Sequence, residues 1–246
     1  MGELALLCAS ALGAVLCGKV LARETLRQMS VIGVNSIPIT LLTISFSGMV
    51  LALHTAEQLK AMGAEGLIGG IVAVSMAREA APVLTAIVVA ARVGSAIAAE
   101  LGTMAVTEQV DALRSLGVNP THYLVAPRFL ACVLMLPVLT VFANAAGVFG
   151  GYIVSVFGAG VPGQVFILSA KDLLQPDDLY LGLAKTLVFG AIIAVVGCAH
   201  GLATSGGAAG VGQRTTAAVV QSIVLVYVAD YFLAEWMFAR HPTPGP

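Results

Sequence analysis

The sequence predicts an all-α integral membrane protein: about five transmembrane helices, an N-terminal interfacial helix, and one short helix in a central water-facing loop. Three observations carry the prediction. Hydrophobic residues fill 59% of the 246 positions, charged ones only 10%, and the mean hydropathy is +0.97, more apolar surface than a soluble core of this size absorbs. The apolar residues are gathered into runs of bilayer-crossing length. Only Glu100 to Arg128 forms a long segment without such a run.

Residues 4 to 17 are apolar for 14 positions, short of the roughly 20 a crossing needs, so the N-terminal region 1 to 30 is expected to hold an interfacial or re-entrant helix. A signal peptide is the rival reading. Met1-Gly2-Glu3 lacks the positive start of such peptides, and Lys19, Arg23 and Arg27 follow the apolar run instead of preceding it. Gly13 to Val20 nearly fits a phosphate-binding loop, yet Val20 stands where a Ser or Thr hydroxyl must meet magnesium. No nucleotide site is read there.

Residues 37 to 56 predict the first crossing, followed by a polar turn carrying Glu57, Lys60 and Glu65. Residues 67 to 101 are 35 positions with only Arg78, Glu79, Arg92 and Glu100 charged; as a helix they exceed the bilayer, so Pro82 is expected to mark a bend after an entry turn. In the loop 102 to 128, Glu108, Asp111 and Arg114 recur at helical spacing with Val110, Leu113 and Leu116 between them, which predicts an amphipathic helix of about three turns. Gly117 suits its C′ position, and Asn119-Pro120 forbids continuation. A polar helix with an apolar seam, held between two crossings, is shaped to dock into a groove on a soluble partner.

The third run, 129 to 160, is interrupted by Pro137, and its Gly147 and Gly151 stand at the spacing that lets another helix approach closely. Val161 to Asp178 is polar and reads as a short extramembrane helix and loop with an Asp177-Asp178 pair. The fourth run, 179 to 204, carries another small pair, Gly197 and Gly201. After the glycine-rich turn SGGAAGVGQR comes the fifth, 216 to 238, and then a short tail, HPTPGP, expected to be unstructured.

Five crossings put the ends on opposite sides. Lys19, Arg23, Arg27, Arg114, Arg128 and Arg214 fall on one side, and Lys60, Lys171 and Arg240 on the other; six against three places the 108-to-116 helix in the cytoplasm.

Several function classes drop out. A formal charge of -1 offers no basic face for nucleic acid. Cys8, Cys17, Cys132 and Cys198 show no C-x-x-C pair, and His54, His122, His200 and His241 show no metal-ligating spacing, so neither a disulfide framework nor a metal centre is expected.

Arg78, Glu79, Arg92, Glu100 and Asp230 lie in or beside apolar runs, where a charge costs about 2.5–3.5 kcal/mol. Each needs a partner on another helix, on a second copy of the chain, or in a wet cavity. Positions 92 and 100 are two turns apart, too far to serve each other. The functional reading is a polar pathway or a headgroup site; the structural one is that Arg78 and Glu100 reach the interfaces and anchor the helix. Arg92, beside Gly94, points to helix packing or the pathway. For Asp230 a hydrogen bond to a neighbouring helix is the expected role.

Three blocks in order, REAAPVLTAIVVAARVGSAIAAELGTM, TEQVDALRSLGVNPTHYLVAPR and GVGQRTTAAVVQSIVLVYVADYF, resemble the MlaE-type permeases, membrane subunits of ABC transporters that move phospholipids between membranes. The likeness runs from about residue 30 onward and looks closest to the cyanobacterial and plastid branch. It implies a single permease domain, residues 1 to 246, that works as a homodimer in a bacterial inner membrane or a plastid inner envelope. It further implies an ABC ATPase subunit below, where ATP and magnesium bind, an MCE-domain lipid-binding protein on the far side, and no catalysis or cofactor in this chain. Carried onto this sequence, the cytoplasmic coupling helix would present Glu108, Asp111, Leu113, Arg114 and Leu116 to the ATPase, bounded by Gly117, Asn119 and Pro120. An ion-coupled secondary transporter of a hydrophobic substrate would show an inverted repeat, which is not seen. An intramembrane enzyme would need a nucleophile and base spaced within the runs, and none is.

Overall fold

A computed structural model describes residues 2–16 and 22–240, and among them 92% helix and no strand. Cys17, Lys19, most of the near phosphate-loop motif's second half, His241 and the tail lie outside the described residues. The elements are α1 (Gly2–Leu16), α2 (Ala22–Gly33), α3 (Ile37–Ala61), α4 (Ile68–Ser75), α5 (Ala81–Val89), α6 (Ser95–Val106), α7 (Gln109–Ser115), α8 (Ala126–Ile153), α9 (Gly163–Leu173), α10 (Pro176–Leu202) and α11 (Gly207–Arg240). Wide π-turns at Met76–Ala80, Ala90–Gly94 and Thr121–Val125 join neighbouring helices into longer rods, and a fourth, Val154–Gly158, ends α8. Five rods are long and apolar enough to cross a membrane: Ala22–Ala61, Glu65–Val106, Thr121–Gly158, Pro176–Leu202 and Gly207–Met237. In hydrocarbon every backbone donor and acceptor must be met within the chain, which only helices do segment by segment.

The rods run longer than their apolar stretches. Glu57 and Lys60, expected in a turn, belong to the last turns of α3; the chain reverses at Gly63, whose φ of +68° excludes most side chains, and the Lys60 ammonium donates to the Ala159 carbonyl. Pro82 marks no entry turn. It sits second in α5, behind the π-turn Met76–Ala80, just as Pro127 sits second in α8 behind Thr121–Val125. A widened turn makes room for the ring, so the rod continues where an α-turn would clash. Pro137 likewise lies inside an unbroken α8. The ends of the 102-to-128 loop are helical, and the non-helical stretch shrinks to the surroundings of α7. SGGAAGVGQR is mostly helix as well: Gly206 and Gly207, at φ +86° and +67°, turn the chain, and α11 starts there.

Asp177 and Asp178 are not loop residues. Pro176 opens α10 and both acids occupy its first turn, with Asp178 Oδ2 accepting from the Gln175 N–H at 3.0 Å. That is the reciprocal cap of a helix start, with negative charge where the helix dipole favours it.

The chain divides into two compact units. One comprises Ile37–Thr85 and Pro137–Thr186. Its core gathers Ile44, Ala52, Ala56, Ile68, Val72, Met76, Ala143 and Phe166, with Tyr152 edge-on to Phe166 at 5.6 Å. Gly48 of α3 lies against the backbone of Gly147 of α8 so closely that any Cβ would collide, and Val72 fills the space before Gly151, which the Gly147 and Gly151 spacing predicts. The other unit comprises Met1–Ser36, Ala86–Leu136 and Leu187–Pro246. There α6 packs on α11, and Gly197 and Gly201 of α10 meet Gly94, Ile97, Ala98 and Leu101. The small pair of α10 therefore also marks a close helix approach.

Candidate functional site

The sequence between α6 and the next rod is polar and short on apolar residues, so it leaves the bilayer and makes its own bonds. α7 is shorter than expected, seven residues instead of about three turns. Glu108 precedes it as N-cap with φ +60°, the one positive φ outside glycine among the described residues. Such a conformation costs on the order of 1 kcal/mol and persists only where the surroundings impose it. At the other end Gly117, φ +74°, closes a Schellman motif: its N–H donates to Arg114 O at 3.0 Å, and the Val118 N–H to Leu113 O at 3.0 Å. Asn119 Oδ1 then accepts the Thr121 N–H at 3.0 Å, and Pro120 leads into the next rod. Asn119-Pro120 thus ends one helix by capping the next.

The apolar seam of α7 is divided between two duties. Val110 is buried, at 5% exposure, and is the one residue of α7 that the chain covers. Leu113 is half-buried, while Leu116 is 77% exposed. Asp111 and Arg114 pair at 2.8 Å on the exposed side, beside Glu108. A screened surface pair of that kind adds little to stability. What remains outward is most of the helix: Glu108, Gln109, Asp111, Ala112, Arg114, Ser115 and Leu116 are all exposed.

In the same unit, Arg128 Nη2 meets Glu100 Oε2 at 2.9 Å and Nη1 donates to Leu124 O at 2.7 Å. Arg92 Nη1 donates to Ser36 Oγ at 2.8 Å and to Val31 O at 3.5 Å, while Ser36 Oγ donates to Ile32 O at 2.6 Å. The Ala90–Gly94 π-turn thereby joins the end of α2, just where α3 begins. Gly94 itself presents its carbonyl to Gly197.

The other unit holds two interlocked ion pairs. Arg78 meets Asp178 Oδ1 through Nη2 and Nε, both at 2.7 Å. Lys185 Nζ meets Glu79 Oε1 at 2.5 Å and donates to Arg78 O at 3.4 Å. Pro82 explains the last bond: lacking an N–H, it leaves the carbonyl four residues back, that of Arg78, without its helical donor, and a lysine from α10 supplies one.

Arg78, Glu79, Arg92 and Glu100 thus all find partners outside the second rod. Sequence reasoning did not identify those partners, Asp178, Lys185, Arg128 and Ser36: Asp178 looked like loop, Arg128 like one of the cations of the central loop, Lys185 suggested no role, and Ser36 preceded the predicted crossing. The usable signal was sign, an unmatched acid or base near the end of another apolar run. Asp230 is half-buried on α11. Among the described residues no group of His, Cys, Asp or Glu could hold a metal ion.

The family described as Permease MlaE matches residues 25–236. A "Probable ABC transporter permease protein" of Synechocystis sp. is 46% identical over 91% of this chain and 85% of its own length. The chloroplastic protein TRIGALACTOSYLDIACYLGLYCEROL 1 of Arabidopsis thaliana is 42% identical over 91% of this chain, which spans 64% of that protein. A "Probable ABC transporter permease protein" of Rickettsia prowazekii is 41% identical over 87% of this chain and 82% of its own.

Proposed function

The chain belongs to the MlaE permease family, a multi-pass membrane protein of a bacterial or plastid membrane, and from that premise we propose that it moves phospholipid or a related lipid between membranes, driven by a separate ATPase that docks on α7. In this reading two copies form the permease, an MCE-domain protein receives or delivers lipid on the far side, and ATP with magnesium is handled by the ATPase alone. The Arabidopsis relative carries the name of a glycolipid, which supports a lipid substrate. Spans rich in small residues and poor in charge suit an apolar cargo better than an ion pore.

The observation that carries the reading is the outward face of α7. A short helix bounded at both ends by left-handed residues, held by Val110 and showing Leu116 with three charges, is a peg that its own chain leaves largely uncovered. Replacing Glu108 and Arg114 together with alanine is expected to leave the protein inserted and dimeric while co-purification of the ATPase falls at least about tenfold, an ordinary loss when charged contacts are removed at an interface. Unchanged co-purification and ATP turnover would remove the docking role.

A further inference from the structure

We propose that Glu100 and Arg128 form a positioning clasp that makes the two helical arms of the α7 loop move together; this rests on the reading of α7 as the ATPase dock and names the residues that convey its movement. Arg128 is 3% exposed, among the buried residues Val125, Ala126, Phe129, Ala131 and Cys132. A guanidinium in such surroundings has lost its water, and the gain from one carboxylate rarely exceeds that loss. Its Nε has no acceptor at all. As a stabilising device the arrangement is poor, since an apolar residue would fill the same space without the unmet donor.

As a connector it is well placed. Glu100 stands six residues before α6 ends at Val106, and Arg128 seven after the rod begins at Thr121. At about 1.5 Å per residue the pair crosses between the arms roughly 10 Å from the loop. On the loop side, α7 is held by Val110 and jointed at Glu108 and Gly117. A push on α7 reaches both arms through those joints, and without a cross-tie they could respond separately. The Leu124 carbonyl that takes Arg128 Nη1 belongs to the π-turn, so the guanidinium also braces the start of its own arm. Glu100, 56% exposed, is the partner with room to release, whereas the enclosed Arg128 cannot follow.

The test compares Glu100→Gln, Arg128→Gln and the reversed pair Glu100→Arg with Arg128→Glu. Two readouts are taken: lipid moved per ATP by the chain reconstituted with its co-purifying ATPase, and amide exchange across residues 107–118 in the chain alone in nanodiscs. The single variants are expected to keep the ATPase bound, to move about tenfold less lipid per ATP, within the usual range of a lost coupling, and to exchange the α7 amides faster. The reversed pair should recover both. Wild-type lipid per ATP and wild-type exchange in Glu100→Gln would overturn the clasp, as would a reversed pair that inserts normally and does no better than the singles. Should Arg128→Gln fail to insert, Glu100→Gln on the exposed side decides by the same criteria. Failure of any ATPase to bind the wild-type chain would sink the docking reading instead, and the exchange measurement would still decide for or against the clasp.

Discussion

Pro82 withdraws one backbone donor, and Lys185 restores it from another helix while neutralising Glu79. Replacing Lys185 with methionine keeps most of the volume and removes both bonds. The expected loss is about 1–3 kcal/mol, because charged hydrogen bonds of this kind are each worth that order. Thermal unfolding in detergent measures it, and adding Pro82→Ala to the variant should return part of the loss by restoring the helical donor. A midpoint equal to wild type in Lys185→Met would show that the carbonyl is satisfied some other way. The need for such partners was legible in the chain, since Arg78, Glu79, Arg92 and Glu100 interrupt an otherwise apolar stretch at a known cost. Their identity was not. Arg78 and Asp178 are 100 positions apart, and Glu79 and Lys185 are 106 apart. No local pattern ties residues at that separation, and the acid at 178 wears the appearance of a loop because the helix it caps starts before the apolar run does.

At the scale of the element, hydropathy located every crossing rod but cut most of them short. The reason is physical: apolar runs report the hydrocarbon, whereas helices continue into the headgroup region, where Glu57, Lys60 and Asp177 are solvated without breaking backbone bonds. Prolines misled in the same direction. Pro82 and Pro137 read as breaks, yet a π-turn absorbs the first and α8 runs through the second. Small-residue spacing was the dependable signal, as Gly147 and Gly151 of α8 and Gly197 and Gly201 of α10 all sit at close helix approaches. Gly48 of α3, which meets Gly147 of α8, went unremarked although Ala52 stands four residues on at the same small-residue spacing. Gly48→Val places a side chain against the Gly147 backbone and is expected to destabilise the protein by about 1–3 kcal/mol, as overpacking does. Val50→Ala, changed on an exposed position of the same helix, should have almost no effect; equal melting of the two variants would mean that the helices are not closely packed at Gly48.

For the whole molecule, five rods, membership of the MlaE permease family and the short α7 between two of the rods underlie the proposal that the chain offers a soluble ATPase a handle. The handle was visible in the sequence as the one long stretch without an apolar run, although its division into a buried Val110 and an outward Leu116 needed the structure. The most direct test of this claim labels one thiol. With the native cysteines replaced and Leu116→Cys introduced, a membrane-impermeant maleimide should react in inverted vesicles, where the cytoplasmic face is outside, and added ATPase should slow that reaction at least about tenfold by covering the site, in proportion to its occupancy. Labelling confined to right-side-out vesicles, or labelling that the ATPase leaves unchanged, would contradict it.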